Sequence, residues 1–430
     1  VTSPATSTAE SGRYAWYVVG VLVLATILSY TDRQILSLVV DPLRRDLSIS
    51  DTDVGLLLGT AFAVVYGLAG LPFGHLADRR SRRGLIAGGI AAWSVGTAAC
   101  GLAGSFGALF AARMVVGVGE AVLTPAAVSL ISDYFPPQRR GTATGVFLMG
   151  IAIGAGGAIF FGGLVLGAVQ SGAFAGTPLA ALPAWRAVIV MLGAGGLVPL
   201  ALLATVREPP RRTEPATTSA PAADPGAIAW PRLAPLLFGV ATISLVDNAV
   251  LAWAPTRLIR DFGVEPGWLG LVLGALLIAG GGAGVLAGGF AGDAVRARLG
   301  ARGPRLVCLG AALVTAPLAL VSLSATVPVV LASIALYVLC SGVGTAAGIA
   351  AILDAVPHAR RGFATAVSFF LNVALGAGVG PPAVALVAEH VVGPAAGLGP
   401  AIASVWMAGF GIVAGCFVLS LRSAPRGSAD

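Results

Sequence analysis

Long apolar runs, each ended by a short cluster of charges, Pro or Gly, dominate the pattern along this chain. They predict helices at 14–40, 54–77, 84–103, 106–132, 141–167 and 185–206, then at 232–256, 267–291, 304–324, 328–353, 362–387 and 400–421. A helix rising about 1.5 Å per residue needs about 20 apolar residues to cross the hydrocarbon core, and these runs are of that length. The pattern implies an all-α membrane protein with twelve transmembrane helices in two six-helix bundles.

Composition agrees. Of 430 residues, 57% are hydrophobic and 10% charged, against about 25% charged in a soluble domain, so there is too little ionic surface for a water-soluble globule. The net charge of +7 would raise the question of nucleic acid, but every one of the 26 basic residues is Arg, and they cluster in the loops between apolar runs. They read as topology signals, and no nucleic-acid partner is expected. Cys100, Cys308, Cys340 and Cys416 all lie inside apolar runs without metal-ligand spacing, so neither zinc nor disulfides are expected. Polar residues 1–12 and Arg13 resemble the start of a secretory signal, but the following run is too long and carries Asp32 and Arg33. It reads as a retained helix.

With residue 1 inside, the inner loops hold fifteen arginines (79, 80, 82, 83, 139, 140, 207, 211, 212, 296, 298, 302, 305, 360 and 361). The outer loops hold five (44, 45, 186, 257 and 260). That excess places both termini in the cytoplasm, in a bacterial inner membrane. Segment 207–231, rich in Pro, Thr and Ala, reads as a mobile cytoplasmic linker between bundles at 1–206 and 232–430.

The two bundles are copies. Adding 215 takes Asp32, Arg45, Asp46, Gly55, Gly59, Gly74 and Asp78 to Asp247, Arg260, Asp261, Gly270, Gly274, Gly289 and Asp293. Adding 221 takes Asp133, Pro136, Arg139, Arg140, Gly141, Ala143 and Thr144 to Asp354, Pro357, Arg360, Arg361, Gly362, Ala364 and Thr365. Six spans per copy is an even number, so both copies run the same way and the repeat axis stands along the membrane normal. That is the arrangement of transporters with a midplane site between halves.

The segment GHLADRRSRR, Gly74–Arg83, with its weaker copy GGFAGD, Gly288–Asp293, resembles the loop motif of the major facilitator superfamily. The resemblance implies a gating cluster of Gly74, Asp78, Arg79, Arg83 and Asp293. Gly74 would let a neighbouring helix approach, and Asp78 would meet a helix N-terminus or Arg139 and Arg140 of the 133–141 loop. The runs SYTDRQILSLVVDPLRRDLSISDTDVGLL and ARMVVGVGEAVLTPAAVSLISDYFPPQRRGTATGVFLMG are similar to the Spinster-like branch of that superfamily. Its members carry an Asp-Arg pair in the first span and Arg and Glu two turns apart in the fourth, positions held here by Asp32, Arg33, Arg113 and Glu120. The resemblance implies proton-linked movement of lysolipids or sphingoid lipids.

Charge inside a bilayer costs several kcal/mol, so Asp32, Arg33, Arg113, Glu120 and Asp247 should face the bundle interior or a wet cavity. Counting helix rise puts Asp32 and Arg113 at one depth and Glu120 about 10 Å deeper with no cation at its level. Asp32–Arg113 is then either a packing pair or part of the machinery. Glu120 and Asp32 are the proton-coupling candidates, since the three histidines lie in or beside loops. Arg33, Arg113 and Glu120, with Asp247 and Asn248 opposite, are the substrate-binding candidates. Shifting Arg113 and Glu120 by 221 gives Ile334 and Ser341, so one wall is charged and the other largely apolar, which suits an amphipathic lipid better than a sugar. A small organic anion or drug-like compound is the alternative. Gly145, Gly150 and Gly154 are expected at a tight helix crossing, and Pro125 and Pro381–Pro382 at bends. The motifs that would make an enzyme are missing from the sequence. The expected partners are the bilayer, protons and the substrate, acting on a monomer without cofactors.

Overall fold

The computed structural model describes residues 5–174, 176–210, 229–357 and 360–423 and is nearly all helical. Twelve helices are long and apolar enough to span a membrane: α1 Gly12–Leu38, α2 Asp51–Gly70, α3 Arg82–Leu102, α4 Phe106–Tyr134, α5 Arg139–Val169 and α6 Ala184–Ala204, then α7 Trp230–Phe262, α8 Pro266–Leu299, α9 Arg302–Val321, α10 Val327–Asp354, α11 Phe363–Val392 and α12 Gly399–Arg422. The hydropathy pattern placed all twelve. The far ends of α7 and α8 run past the expected bounds, where polar, Arg-bearing turns remain helical beyond the apolar run. Gly263, in a left-handed conformation at φ 66°, stops α7. Glu265 then caps α8 by accepting from the backbone N–H of Gly267 and Trp268, and these two bonds hold its carboxyl below the ordinary range.

Packing gathers the described residues into two compact units. Unit 1 runs to Leu43 and resumes at Val64, and unit 2 takes Arg44–Ala63 with everything described after the linker. Most of the expected linker, 211–228, lies outside the described residues. Arg44–Ala63, which the repeat assigns to the first six spans, is thus part of unit 2.

In unit 1, α5 lies along α1. A Cβ at Gly154 would stand 2.7 Å from the carbonyl oxygen of Ile27, and one at Gly150 would stand 3.1 Å from that of Val23. The glycines let the backbones close. Gly145 has nothing within 4 Å of its Cβ position, so the expected crossing uses only the other two. The same is true of Gly74, against which no neighbouring helix closes: the repeat preserved its position, but not a contact.

In unit 2, α11 carries the prolines. Pro381 and Pro382 have no N–H for the carbonyls of Ala377 and Gly378, and a wide π turn, Asn372–Ala377, precedes them. The freed carbonyl of Gly378 accepts instead from Thr60 Oγ1 at 2.8 Å. Glu389 caps the start of α2, accepting from Thr52 N at 3.0 Å and Thr52 Oγ1 at 2.6 Å. Asp51 beside it takes both Arg260 and Arg44, each with a nearest approach of 3.0–3.2 Å.

Candidate functional site

In unit 1, Ser29, Asp32 and Arg33 fall three and four residues apart on one face of α1. α4 supplies Arg113 and Glu120. Its ladder is interrupted at Val122, because Pro125 has no N–H to return to Ala121, and Glu120 sits just before that interruption. This is one of the bends expected from the prolines.

All four charged side chains meet in the interior. Arg33 Nε donates to Glu120 Oε2 at 2.6 Å, and Ser29 Oγ donates to the same oxygen at 2.8 Å. Glu120 Oε1 is buried and has no hydrogen-bond partner among the described residues. The Arg33 guanidinium lies over the rings of Tyr30 and Tyr66, at 4.3 and 4.6 Å, a cation–π arrangement. Asp32 is buried, accepts from Thr97 Oγ1 of α3, and lies within the electrostatic reach of both Arg113 and Glu120. Arg113 is buried alongside.

One expectation is corrected here. Glu120 was assigned no cation at its own depth, yet Arg33 reaches it. Counting helix rise locates Cα atoms, whereas an Arg side chain carries its charge several ångströms from its own Cα. The site is therefore two acids and two guanidiniums interlocked.

Unit 2 answers with one acid. Asp247 Oδ1 accepts from Tyr337 Oη at 2.5 Å and Ser341 Oγ at 2.6 Å, residues one turn apart on α10. The Tyr337 ring is packed 4.3 Å from that of Trp406. Sequence reasoning missed Tyr337, whose hydroxyl is invisible in an apolar run until a partner is known. Asn248 is not turned to this cluster: its amide donates to Ser244 O at 2.8 Å, and its side chain packs where Gly376 and Gly380 of α11 come close.

The expected gating residues are dispersed. The side chain of Asp78 lies outside the described residues, and Arg79 is exposed at a helix end. Arg82, which the sequence reading left as a topology charge, is buried and binds Asp133, Glu208 and the carbonyl of Pro209. Arg83 donates through its guanidinium to Ala204 O at 2.8 Å. Burial tends to push the Glu208 carboxyl up, but hydrogen bonds from Arg82, Arg83 and Ser81 outweigh it and hold it below the ordinary range. Arg139 lines a cavity of about 560 Å³ with Tyr14, Trp16 and Asp133, and Arg140 Nε donates to Phe135 O at 3.2 Å. In unit 2, Arg296 binds Asp354 at 2.7 Å, while Asp293 stands 3.8 Å from Arg296 and is 80% exposed. Asp293 thus lies at the surface, carried outward by its helix. Asp354 is the repeat partner of Asp133, so each unit ties the acid at the end of its fourth helix to an arginine, Arg82 at the start of α3 in one and Arg296 near the end of α8 in the other. Among the described residues no His, Cys, Asp and Glu gather in a way that would hold a metal.

Residues 22–381 match the Major Facilitator Superfamily, and the chain belongs to that superfamily of membrane transporters. An MFS-type efflux pump of Mycolicibacterium smegmatis is 31% identical over 392 residues, 88% of this chain and 86% of that protein. Protein spinster homolog 1 of Homo sapiens is 30% identical over 257 residues, 57% of this chain and 46% of that protein; the chain thus spans less than half of that relative's length. The crystal structure of a bacterial homologue of the human lysosomal transporter Spinster, inward-facing and occupied, superposes with a TM-score of 0.75 at 27% identity, covering 95% of each chain. The Spinster-like resemblance read from the Asp-Arg and Arg/Glu positions is therefore shown, and the chain is a multi-pass transporter of alternating-access type.

Proposed function

We propose that the protein is a proton-coupled secondary transporter of an amphipathic lipid with an anionic or zwitterionic head, of lysolipid or sphingoid type. The observation that carries this reading is the Glu120 carboxylate, with one oxygen bound by Arg33 and Ser29 and the other buried without a partner. Such a group is relieved by taking a proton, which makes it a neutral O–H donor, or by a ligand that donates to Oε1. A proton on Glu120 weakens its hold on Arg33, and the guanidinium is then available to the substrate's anionic group. Asp32, within the electrostatic reach of Arg113, plays the same part. Arg33 and Arg113 thus alternate between an acid and the substrate, because a buried guanidinium left unpaired is costly. Arg113→Lys should impair binding, since a point charge does not reproduce the planar fork.

The lipid class follows the sequence resemblance to the Spinster-like branch. The membrane is the bacterial inner membrane, the termini are cytoplasmic and the working unit is a monomer. Asp78 belongs to the latch that holds the cytoplasmic side closed.

The test is flux in proteoliposomes with and without a pH gradient. Glu120→Gln and Asp32→Asn should each reduce gradient-driven accumulation to the level of protein-free vesicles while the purified protein remains folded. Unchanged pH dependence in the double variant would remove proton coupling. A second reading, an efflux pump for a small organic anion or drug-like compound, is favoured by the long match to the mycobacterial pump. Thermal stabilisation by lysolipids that grows with chain length and disappears in Arg113→Ala supports the lipid; stabilisation by short anions alone supports the efflux reading.

A further inference from the structure

One end of unit 2, made by the last turns of α8 and α10 and the first turns of α7 and α9, holds more positive charge than its own acids neutralise. Arg296, Arg302, Arg305 and Arg361 each bury an Nε–H that has no hydrogen-bond partner among the described residues. Arg305 is only 3% exposed. Its Nη1 donates to the carbonyl of Ala301, and Asp354 and Arg232 both lie within its electrostatic reach. Asp354 is already bound to Arg296 at 2.7 Å. Arg302 stands one turn before Arg305 at the start of α9, so the two share a face. Arg361 opens the helical turns that lead into α11. There the Phe363 ring meets that of Trp230 at 6.4 Å, which brings this start beside the first turn of α7, where Arg232 stands.

Unit 1 meets the same problem with protein groups alone: buried Arg82 has both Asp133 and Glu208. In unit 2, Asp354, the repeat partner of Asp133, is shared between Arg296 and Arg305, and the other acid at this end, Asp293, is 80% exposed. Topology alone does not require this arrangement. A charge that only orients a span can stand in the open, as exposed Arg298 does, whereas Arg302 and Arg305 occupy the first turn of a helix, whose own dipole is positive there. Guanidiniums offer donors and no acceptor. Water would satisfy an N–H and leave the charge; an oxyanion meets both needs, and its several oxygens accept from more than one planar fork.

We propose that these arginines form a phosphate-binding site, with Arg305 as its buried anchor, Arg302 beside it, and Arg296, Arg232 and Arg361 around them. The ligand is the phosphate of a lipid headgroup or a free phosphate ion. Bound phosphate takes the part that the second acid plays for Arg82 and ties the ends of α7, α8, α9 and α11 together. The site shares no residue with the Asp32–Glu120 cluster or with Asp247.

The test uses the full-length protein purified without phosphate in a neutral detergent. Inorganic phosphate should raise its unfolding temperature saturably, by about 1–3 °C, while chloride at matched ionic strength should not. Phosphatidylglycerol in the micelles, compared with phosphatidylcholine, separates the sources: a response to the lipid alone assigns the site to a headgroup, and a response to inorganic phosphate alone assigns it to the free ion. No response to either overturns the site. Arg305→Gln should abolish the response. Because that variant removes a buried charge and can fail to fold, half-buried Arg302→Gln provides a second arm and should abolish it too. Arg298→Gln and Arg113→Ala should both keep it. An unchanged response in Arg302→Gln, or an equal loss in Arg298→Gln, would mean general screening and would overturn the site. Loss in Arg113→Ala would move the phosphate to the transport cluster, with the same consequence.

Discussion

Asp32 and Asp247 occupy equivalent places in the repeat and are met by different partners. Asp32 and Glu120 in unit 1 are met by arginines, with Ser29 and Thr97 in support. Asp247, the repeat partner of Asp32, is met by two hydroxyls on α10 and by no cation that the structure places against it. A guanidinium suits only an ionised carboxylate, since it has no acceptor to offer. A hydroxyl can donate or accept, so it suits both protonation states. Duplication of the scaffold thus kept the position of the acid while freeing its environment: Ser341 stands where the register puts Glu120, and Tyr337 where it puts Val116. Under the proposed coupling, the unit with fixed charges is the one whose interactions are rearranged when a proton arrives.

The contrast is most easily broken at Arg33. Arg33→Leu leaves Glu120 buried without its cation and should destabilise the protein by about 3–5 kcal/mol. Adding Glu120→Gln should restore most of that, and the double-mutant cycle in denaturant unfolding reads the difference. A loss in the double variant equal to the sum of the two single losses would mean that the pair has no coupling. A smaller effect is expected in the gating region, where the two units again differ. Arg82 has a 2% exposed side chain with three partners, whereas Arg296 is 38% exposed. Arg82→Ala should cost about 3 kcal/mol, as a buried charge network does, and Arg296→Ala at most about 1 kcal/mol. Comparable losses would show that both act as surface pairs.

Asp247→Asn comes next, because the amide oxygen still accepts from Tyr337 and Ser341. It should cost only about 1 kcal/mol and leave pH-gradient accumulation intact, in contrast to Asp32→Asn. The smallest effect concerns acid sensitivity. The Glu208 carboxyl titrates below its ordinary range in the folded protein, so its contribution is fully present above its unfolded value of about 4.3. That contribution is lost as pH falls through the lower folded value. Because the side chain is 31% exposed, solvent screening keeps the term under about 1 kcal/mol. Stability measured from pH 6 down to 3 should fall slightly less steeply in Glu208→Gln than in the parent.

The spans were legible because bilayer thickness writes itself into the length of each apolar run. The repeat was legible because charge and glycine at helix ends tolerate few substitutes. The site was half legible. Asp32, Arg33, Arg113 and Glu120 could be singled out by the cost of charge in hydrocarbon, but the Arg33–Glu120 couple depends on side-chain reach, which residue counting omits. Tyr337 and Ser341 were hidden because a hydroxyl costs little in a span until it is needed. Arg82, Asp133 and Glu208 were hidden for another reason: charges at loop positions look alike when each is explained by topology alone. Gly74 and Gly145 show the reverse error, since a recurring glycine suggests a contact that neither makes.

The cations of the central cluster are both arginine, and the chain contains no lysine at all. A guanidinium holds its proton at any pH a cell reaches, so half of the cluster's charge is constant and only the acid half adjusts. Under the proposed coupling, the pH profile of transport has no alkaline branch arising from these cations. Its shape is that of an acid titration alone, and its midpoint reports the carboxylates directly.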